Sequence, residues 1–285
     1  MGQPTLKKTF YSPESQLRQP SILIREMLSD LFASRGLAWR LFVRNISAQY
    51  RQSILGYLWA FLPPLFSMAI WVLLNSQKII NIDDPGMPYP LFVLTGTVLW
   101  QTFVDAINSP LKLVTESKEM LAKINFPREA LILAGLLEVI FNFFIRILLL
   151  VAIFVWYRTP VTGTAGLAFL GVLVLIVLGL MIGILLTPLG VLYNDVGRTI
   201  AIFTQFWFFL TPVIYPMPKE GIVALIVQYN PVTPVLVSVR EWLILGSSSQ
   251  LMGFCVVSFV SVGFLLLGWV LYRIAMPHLI ARISA

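Results

Sequence analysis

LILAGLLEVIFNFFIRILLLVAIFVW, residues 131–156, holds only two charged side chains, Glu138 and Arg146. A bilayer core of about 30 Å is crossed by about 20 consecutive apolar residues in a helix, so this stretch is long enough to span. Further charge-free runs occupy 52–77, 85–104, 159–194, 199–218, 221–239 and 242–272. Over the 285 residues, hydrophobic side chains make up 58% and charged ones 12%, against about 45–50% and about 25% in a soluble domain. Such a chain has too little polar surface to coat itself in water. It reads as an all-α polytopic membrane protein.

Six spans are expected near 54–75, 89–107, 131–156, 167–192, 199–216 and 250–272. The run 221–239 is set aside, because Asn230-Pro231 and Pro234 interrupt it after one short apolar stretch. It reads as a re-entrant or interfacial segment before the last span. With six spans, fifteen of the 20 Lys and Arg fall on the side of both termini and four on the other, with Arg146 inside a span. Basic residues favour cytoplasmic loops, which places both termini in the cytoplasm and the first span as the insertion signal. In a membrane chain this positive excess marks topology rather than nucleic-acid binding. Cys255 is the only cysteine, which excludes an intramolecular disulfide and a cysteine-based metal cluster. No metal site and no catalytic residue set is expected.

Before the first span, residues 1–20 carry Pro4, Pro13 and Pro20 among polar residues and read as a cytoplasmic tail. Residues 21–51 are expected to form two amphipathic interface helices, broken at Gly36, with Leu23, Met27 and Leu31 on one face of the first. They serve either as lipid-surface anchors or as a face for a partner. The six-helix domain then covers 52–272, followed by a cytoplasmic tail at 273–285.

Several strings carry a resemblance. Arg44-Asn45-Ile46-Ser47-Ala48-Gln49-Tyr50-Arg51-Gln52-Ser53-Ile54-Leu55-Gly56-Tyr57-Leu58-Trp59-Ala60 with Pro63-Pro64 precedes and enters the first span. Leu94-Thr95-Gly96-Thr97-Val98-Leu99-Trp100, Lys123-Ile124-Asn125-Phe126-Pro127-Arg128-Glu129, Asn194-Asp195-Val196-Gly197-Arg198 and Tyr229-Asn230-Pro231-Val232-Thr233-Pro234 follow in order. Together they resemble the ABC-2 type permeases that export O-antigen, capsule or teichoic acid chains, over roughly residues 37–280. The resemblance implies a bacterial cytoplasmic (inner) membrane subunit that moves a lipid-linked polysaccharide, O-antigen first among the cargoes. It also implies two copies of this chain working with two ABC ATPase subunits.

The residues agree with a divided machine. No Gly-Lys dipeptide occurs, hence no G-x-x-x-x-G-K-[ST] phosphate loop. ATP and magnesium are therefore expected in a partner ATPase, with no cofactor in this chain. Six helices are few for a wide conduit, which favours a two-fold pair around a shared pore. The loop 105–130 holds four basic and four acidic residues. The resemblance implies an ATPase-coupling helix there, carried by Glu116, Lys118, Glu119, Lys123 and Arg128; an ordinary solvated loop is the alternative. Asp195 and Arg198 join this coupling set, or pair locally one turn apart.

Within the membrane, Glu138, Asn142 and Arg146 stand at i, i+4 and i+8 and form one polar stripe. Charge at this depth is costly, so the stripe pairs inside the protein or lines a route. Gly179 and Gly183 make a small-xxx-small pattern for close helix packing. Aromatic faces suit a sliding sugar polymer; Tyr57, Trp59, Phe66 and Trp71 near the first span, and Phe206 and Trp207 on the fifth, are the candidate pore aromatics. The segment 218–246, with Tyr229, Asn230, Pro231, Thr233 and Pro234, is the expected outer gate or else a passive plug. An ABC-2 exporter of drugs or small lipids and a secondary-active lipid-linked sugar flippase are the competing functions. The second would more often show two repeated halves.

Overall fold

The computed structural model describes residues 20–283 apart from 52–53, 81, 83–84 and 125. The expected tail 1–20 lies outside the described residues except for Pro20. The described residues are helical and contain no strand. The helices are α1 (Pro20–Arg51), α2 (Leu62–Ser76), α3 (Tyr89–Glu116), α4 (Lys118–Lys123), α5 (Glu129–Trp156), α6 (Ala165–Leu192), α7 (Asp195–Phe209), α8 (Ile222–Tyr229), α9 (Val232–Ile244) and α10 (Leu251–Ile283), with a 3-10 turn at Gly56–Ala60 before α2.

At the centre stands α3, packed against α2, α5 and α6. Phe103, Leu94, Leu99 and Ile107 of α3 are almost wholly enclosed, together with Leu175 of α6 and Leu236 of α9. Lipid tails are as apolar as these side chains, so close packing rather than escape from water selects the α3–α6 contact. A Cβ on Gly179 would lie 2.6 Å from Ala106 Cβ, and one on Gly183 would strike the Ile107 carbonyl. The expected small-residue face is therefore the one on which α6 meets α3. Gly171 and Gly190 extend it at either end, toward Val239 of α9 and Leu111 of α3.

The helix lengths differ from the expected ones. Among the described residues, four helices are apolar and long enough to cross a membrane: α3, α5, α6 and α10. The α8–α9 pair, bent by 83°, passes the same test only when its two parts are joined. The first and fifth expected spans form helices of 15 residues each, α2 and α7, about 22 Å by helical rise. Pro63-Pro64 explains the start of α2, since proline belongs in a helix's first turn. Pro212 explains the end of α7, since the residue before a proline is driven out of the helical region.

Two further boundaries moved. The second expected span, 89–107, continues as α3 to Glu116 through an internal Pro110. Asp105, Lys112 and Glu116 therefore lie on a membrane helix, and the expected loop 105–130 contracts to α4 and its flanks. Burial of Leu111, Leu113 and Val114 compensates for the hydrogen bond that Pro110 cannot donate. The two expected interface helices are one: α1 runs straight through Gly36. Glycine in a helix interior costs only about 1 kcal/mol, and α1 is held on both sides of it by buried Met27, Ala38, Leu41 and Ile46.

Candidate functional site

Between α2, α3 and α7 lies a groove of about 490 Å³, lined by Ser67, Thr97, Trp100, Gln101, Gln205 and Phe206 among others. Hydroxyl and amide groups here share one wall with aromatic faces. Trp100 is fixed by edge contacts to Phe208 at 5.8 Å and Trp207 at 6.1 Å. Behind the groove, Gln101 Nε2 donates to Asp105 Oδ1 at 3.1 Å, and Asp105 Oδ2 pairs with Arg146 at 2.6 Å. The amphiphilic wall suits a ligand that has both hydroxyl edges and apolar faces, as sugars do.

That ion pair holds one end of the expected polar stripe inside the protein. Glu138 and Arg146 do share a face of α5 and both are buried, but they serve different neighbours. Arg146 is held by Asp105, whereas Glu138 accepts from Asn45 Nδ2 of α1 at 2.8 Å and lies 3.7 Å from Lys112 of α3. Asn142, half-buried, sits between them on the helix. The charge-free run 85–104 ends just before Asp105, so the local pattern carries no sign of this partnership. An i+8 spacing puts two side chains about 12 Å apart along a helix, so Glu138 and Arg146 each take a partner from another helix.

The candidate aromatics separate. Phe206 lines the groove, and Phe66, Tyr57 and Trp59 are more than half exposed. Tyr57 meets the edge of Phe141, and Trp71 meets that of Phe209 at 6.3 Å. Trp207 is half-buried: it packs on Phe103 at 5.3 Å and donates its indole N–H to Asn230 Oδ1 at 3.1 Å. Trp100, the indole that does line the groove, stood in the quoted Leu94–Trp100 string but was not singled out.

The expected gate residues gather at the elbow between α8 and α9. Asn230 is buried and fully engaged. Its Oδ1 accepts from Trp207 Nε1 and the Val232 amide, while its Nδ2 donates to the Leu210 carbonyl at 3.0 Å and Thr211 Oγ1 at 2.8 Å. Pro231 caps α9, Thr233 and Pro234 are buried in its first turn, and Tyr229 is exposed. Arg240 was counted as an outer-loop cation. It is buried instead, donating to the Pro212 carbonyl at 2.6 Å, to that of Phe92 at 3.1 Å and to that of Val213, with its guanidinium 3.7 Å from the Phe92 ring centre. Asn230 and Arg240 thus satisfy carbonyls released where α7 stops, as buried backbone groups require. Gly96 makes room, since a Cβ there would collide with the guanidinium.

At the opposite end, α4 carries exposed Glu119 and Lys123, preceded by exposed Glu116. Lys118 reaches the Val191 carbonyl at 3.4 Å, which sets α4 beside the α6–α7 turn. Arg198 lies 3.7 Å from Asp195 there, both well exposed, so the expected local pair forms on the same end. Arg128 is half-buried, outside that exposed group. Nearby, Arg273 of α10 meets Glu129 at 2.7 Å, Asp30 at 2.8 Å and Glu26 at 3.6 Å. This node joins α1, α5 and α10, so Arg273, expected in the cytoplasmic tail 273–285, lies on a helix instead. Among the described residues, no group of three or more His, Cys, Asp or Glu is placed to hold a metal.

Apolar helices long enough to cross a bilayer, with polar groups gathered at two ends, describe a multi-pass membrane protein. The profile of the ABC-2 type transporter family matches residues 37–244, from within α1 to the end of α9, and the chain belongs to that family. It is 27% identical over 215 residues to the O-antigen export system permease protein RfbA of Myxococcus xanthus, covering 74% of this chain and 82% of that one. It is 25% identical over 207 residues to a Klebsiella pneumoniae protein of the same description, covering 70% and 76%. The polysialic acid transport protein KpsM of Escherichia coli is 24% identical over 244 residues, covering 82% and 91%.

Proposed function

We propose that this chain is the membrane subunit of a bacterial exporter that moves a lipid-linked polysaccharide, O-antigen first, across the cytoplasmic membrane. Relatives described as O-antigen export permeases and a polysialic acid transport protein support the cargo class. The groove between α2, α3 and α7 is the observation that carries the reading, because aromatic faces beside amide and hydroxyl groups hold sugar weakly at many positions. Weak, repeated contact lets a polymer slide. A drug pocket would enclose its ligand.

Phe206 and Phe209 of α7 line the groove and are exposed, and a second copy against that side would close it into a conduit. The six crossings are α2 with its preceding turn, α3, α5, α6, α7 with residues 210–215, and α10, with both termini cytoplasmic. The α8–α9 pair is re-entrant at the outer mouth. Its far end is tied to the α5–α6 loop by the Thr162 amide bonding the Leu243 carbonyl at 3.0 Å, which supports a return to the side from which it entered. There the pair acts as the gate. ATP and magnesium are handled by two separate ATPase subunits docked on α4 and the Asp195–Arg198 turn.

The test is made in cells that produce the polymer. Replacing the phosphate-loop lysine of the ATPase should abolish surface polymer, and a photo-reactive amino acid in place of Gln205 should capture polymer during export. Surface polymer that persists without that lysine would overturn the proposal.

A further inference from the structure

A second cavity lies away from the groove, between α5 and α6 and backed by α3 and α9. It encloses about 410 Å³, within the size range of small-molecule sites. Its walls include Phe143, Leu150, Phe154, Ala168 and Val172, and Arg158 and Thr159 stand at its mouth. Thr95, the polar residue deepest in it, spends its hydroxyl on the Leu91 carbonyl at 2.8 Å. Water needs two to four polar partners to stay in such a space, so the interior suits an apolar occupant.

The cavity's length matches one leaflet. From Phe143 to Phe154 α5 rises about 16 Å, half of a hydrocarbon core of about 30 Å. Trp156 and Tyr157, both exposed, follow where aromatic residues mark the membrane interface. Arg158 then ends α5 in a left-handed conformation with φ of 51°. Its amide bonds the Val155 carbonyl, and the Thr159 amide bonds that of Phe154, the helix-ending pattern that ordinarily carries glycine or asparagine. Among the described residues, the Arg158 side chain has no hydrogen bond or ion pair, and it is exposed. An apolar slot one leaflet deep therefore ends in an unpaired cation at headgroup level.

We infer that this cavity binds an anionic phospholipid of the outer leaflet, with one acyl chain between α5 and α6 and its phosphate on Arg158. The leaflet assignment rests on the orientation proposed above; the binding itself does not depend on the cargo. The lipid wedges two spans that lie away from the open groove, so it holds the outer half of the bundle without entering the polymer's path.

The full-length chain in mild detergent is offered phosphatidylglycerol and phosphatidylethanolamine of equal chain length, and retained lipid is read by native mass spectrometry. Wild type should retain phosphatidylglycerol preferentially. Arg158→Gln should reduce that preference about fivefold, the effect of one basic residue at an anionic surface, and Arg158→Lys should keep it. Ala168→Phe, which fills the slot, should reduce retention of both lipids. An unchanged lipid ratio in Arg158→Gln, or undiminished retention in Ala168→Phe, would overturn the site. In a Cys255→Ser background, a cysteine at Thr159 should react with a membrane-impermeant maleimide in cells with an opened outer envelope. Labelling only after lysis of the inner membrane would overturn the leaflet assignment, whatever the lipid retention.

Discussion

Replacing Asp105 by Asn should strand Arg146. The Arg146 side chain is 8% exposed, its one ion-pair partner among the described residues is Asp105 at 2.6 Å, and its Nε is buried without a hydrogen-bond partner. Removing one member of a buried pair costs about 3–5 kcal/mol, and an arginine at mid-bilayer costs about 2.5–3.5 kcal/mol on the insertion scale. Asp105 keeps 22% of its side chain exposed, so water moderates the loss, and about 3 kcal/mol is expected. Asp105→Asn together with Arg146→Gln removes both charges, and the double variant should be milder than the sum of the singles by about 1–3 kcal/mol. Glu138→Gln with Arg146→Gln should instead be additive within about 0.5 kcal/mol, because Glu138 answers to Asn45 and Lys112. Reversible unfolding in mixed micelles, followed by tryptophan fluorescence, measures the wild type, the three single variants and the two double variants. Additivity in the Asp105 cycle, or coupling in the Glu138 cycle, would refute the assignment of partners.

Reversing charge at Glu119 and Lys123 together should lower polymer exported per ATP hydrolysed by about five- to thirtyfold, from two contacts of about 0.5–1 kcal/mol each; reconstituted vesicles with the ATPase report both quantities. A disulfide between cysteines placed at Tyr229 in the two copies should stop export and a reductant should restore it, as surface polymer staining would show. Arg273→Met should destabilise the protein by about 3–5 kcal/mol by leaving Glu129 buried and unpaired, and added Glu129→Gln should recover part of that. Arg198→Met, at an exposed local pair, should stay within about 0.5 kcal/mol in the same unfolding measurement.

Helix existence was legible along the chain because hydrophobic length is a local property: α5, α6 and α10 arise from runs that leave the backbone no cheaper way to satisfy itself in lipid. The same locality made Gly179 and Gly183 readable as a packing face and Asn230-Pro231 as a break. Helix ends were less legible. Glu116 lies beyond a proline and two charged residues, yet α3 reaches it because Leu111 and Val114 are buried against neighbours that the local pattern does not contain.

Partners of buried charge belong wholly to the tertiary structure. The sequence alone determined that Arg146 needs company, since charge in a membrane is expensive wherever it sits, and it offered the candidates on the same helix. Only packing decided that Asp105, 41 positions earlier, supplies it. Arg240 and Arg273 looked like loop and tail cations because nothing adjacent in sequence marks them as internal. Folding brings the carbonyls freed at the end of α7 to one, and the carboxylates of α1 and α5 to the other. Apolar burial depends on what a residue is and leaves a periodic trace; electrostatic pairing depends on which residues meet, and that is fixed only when the helices do.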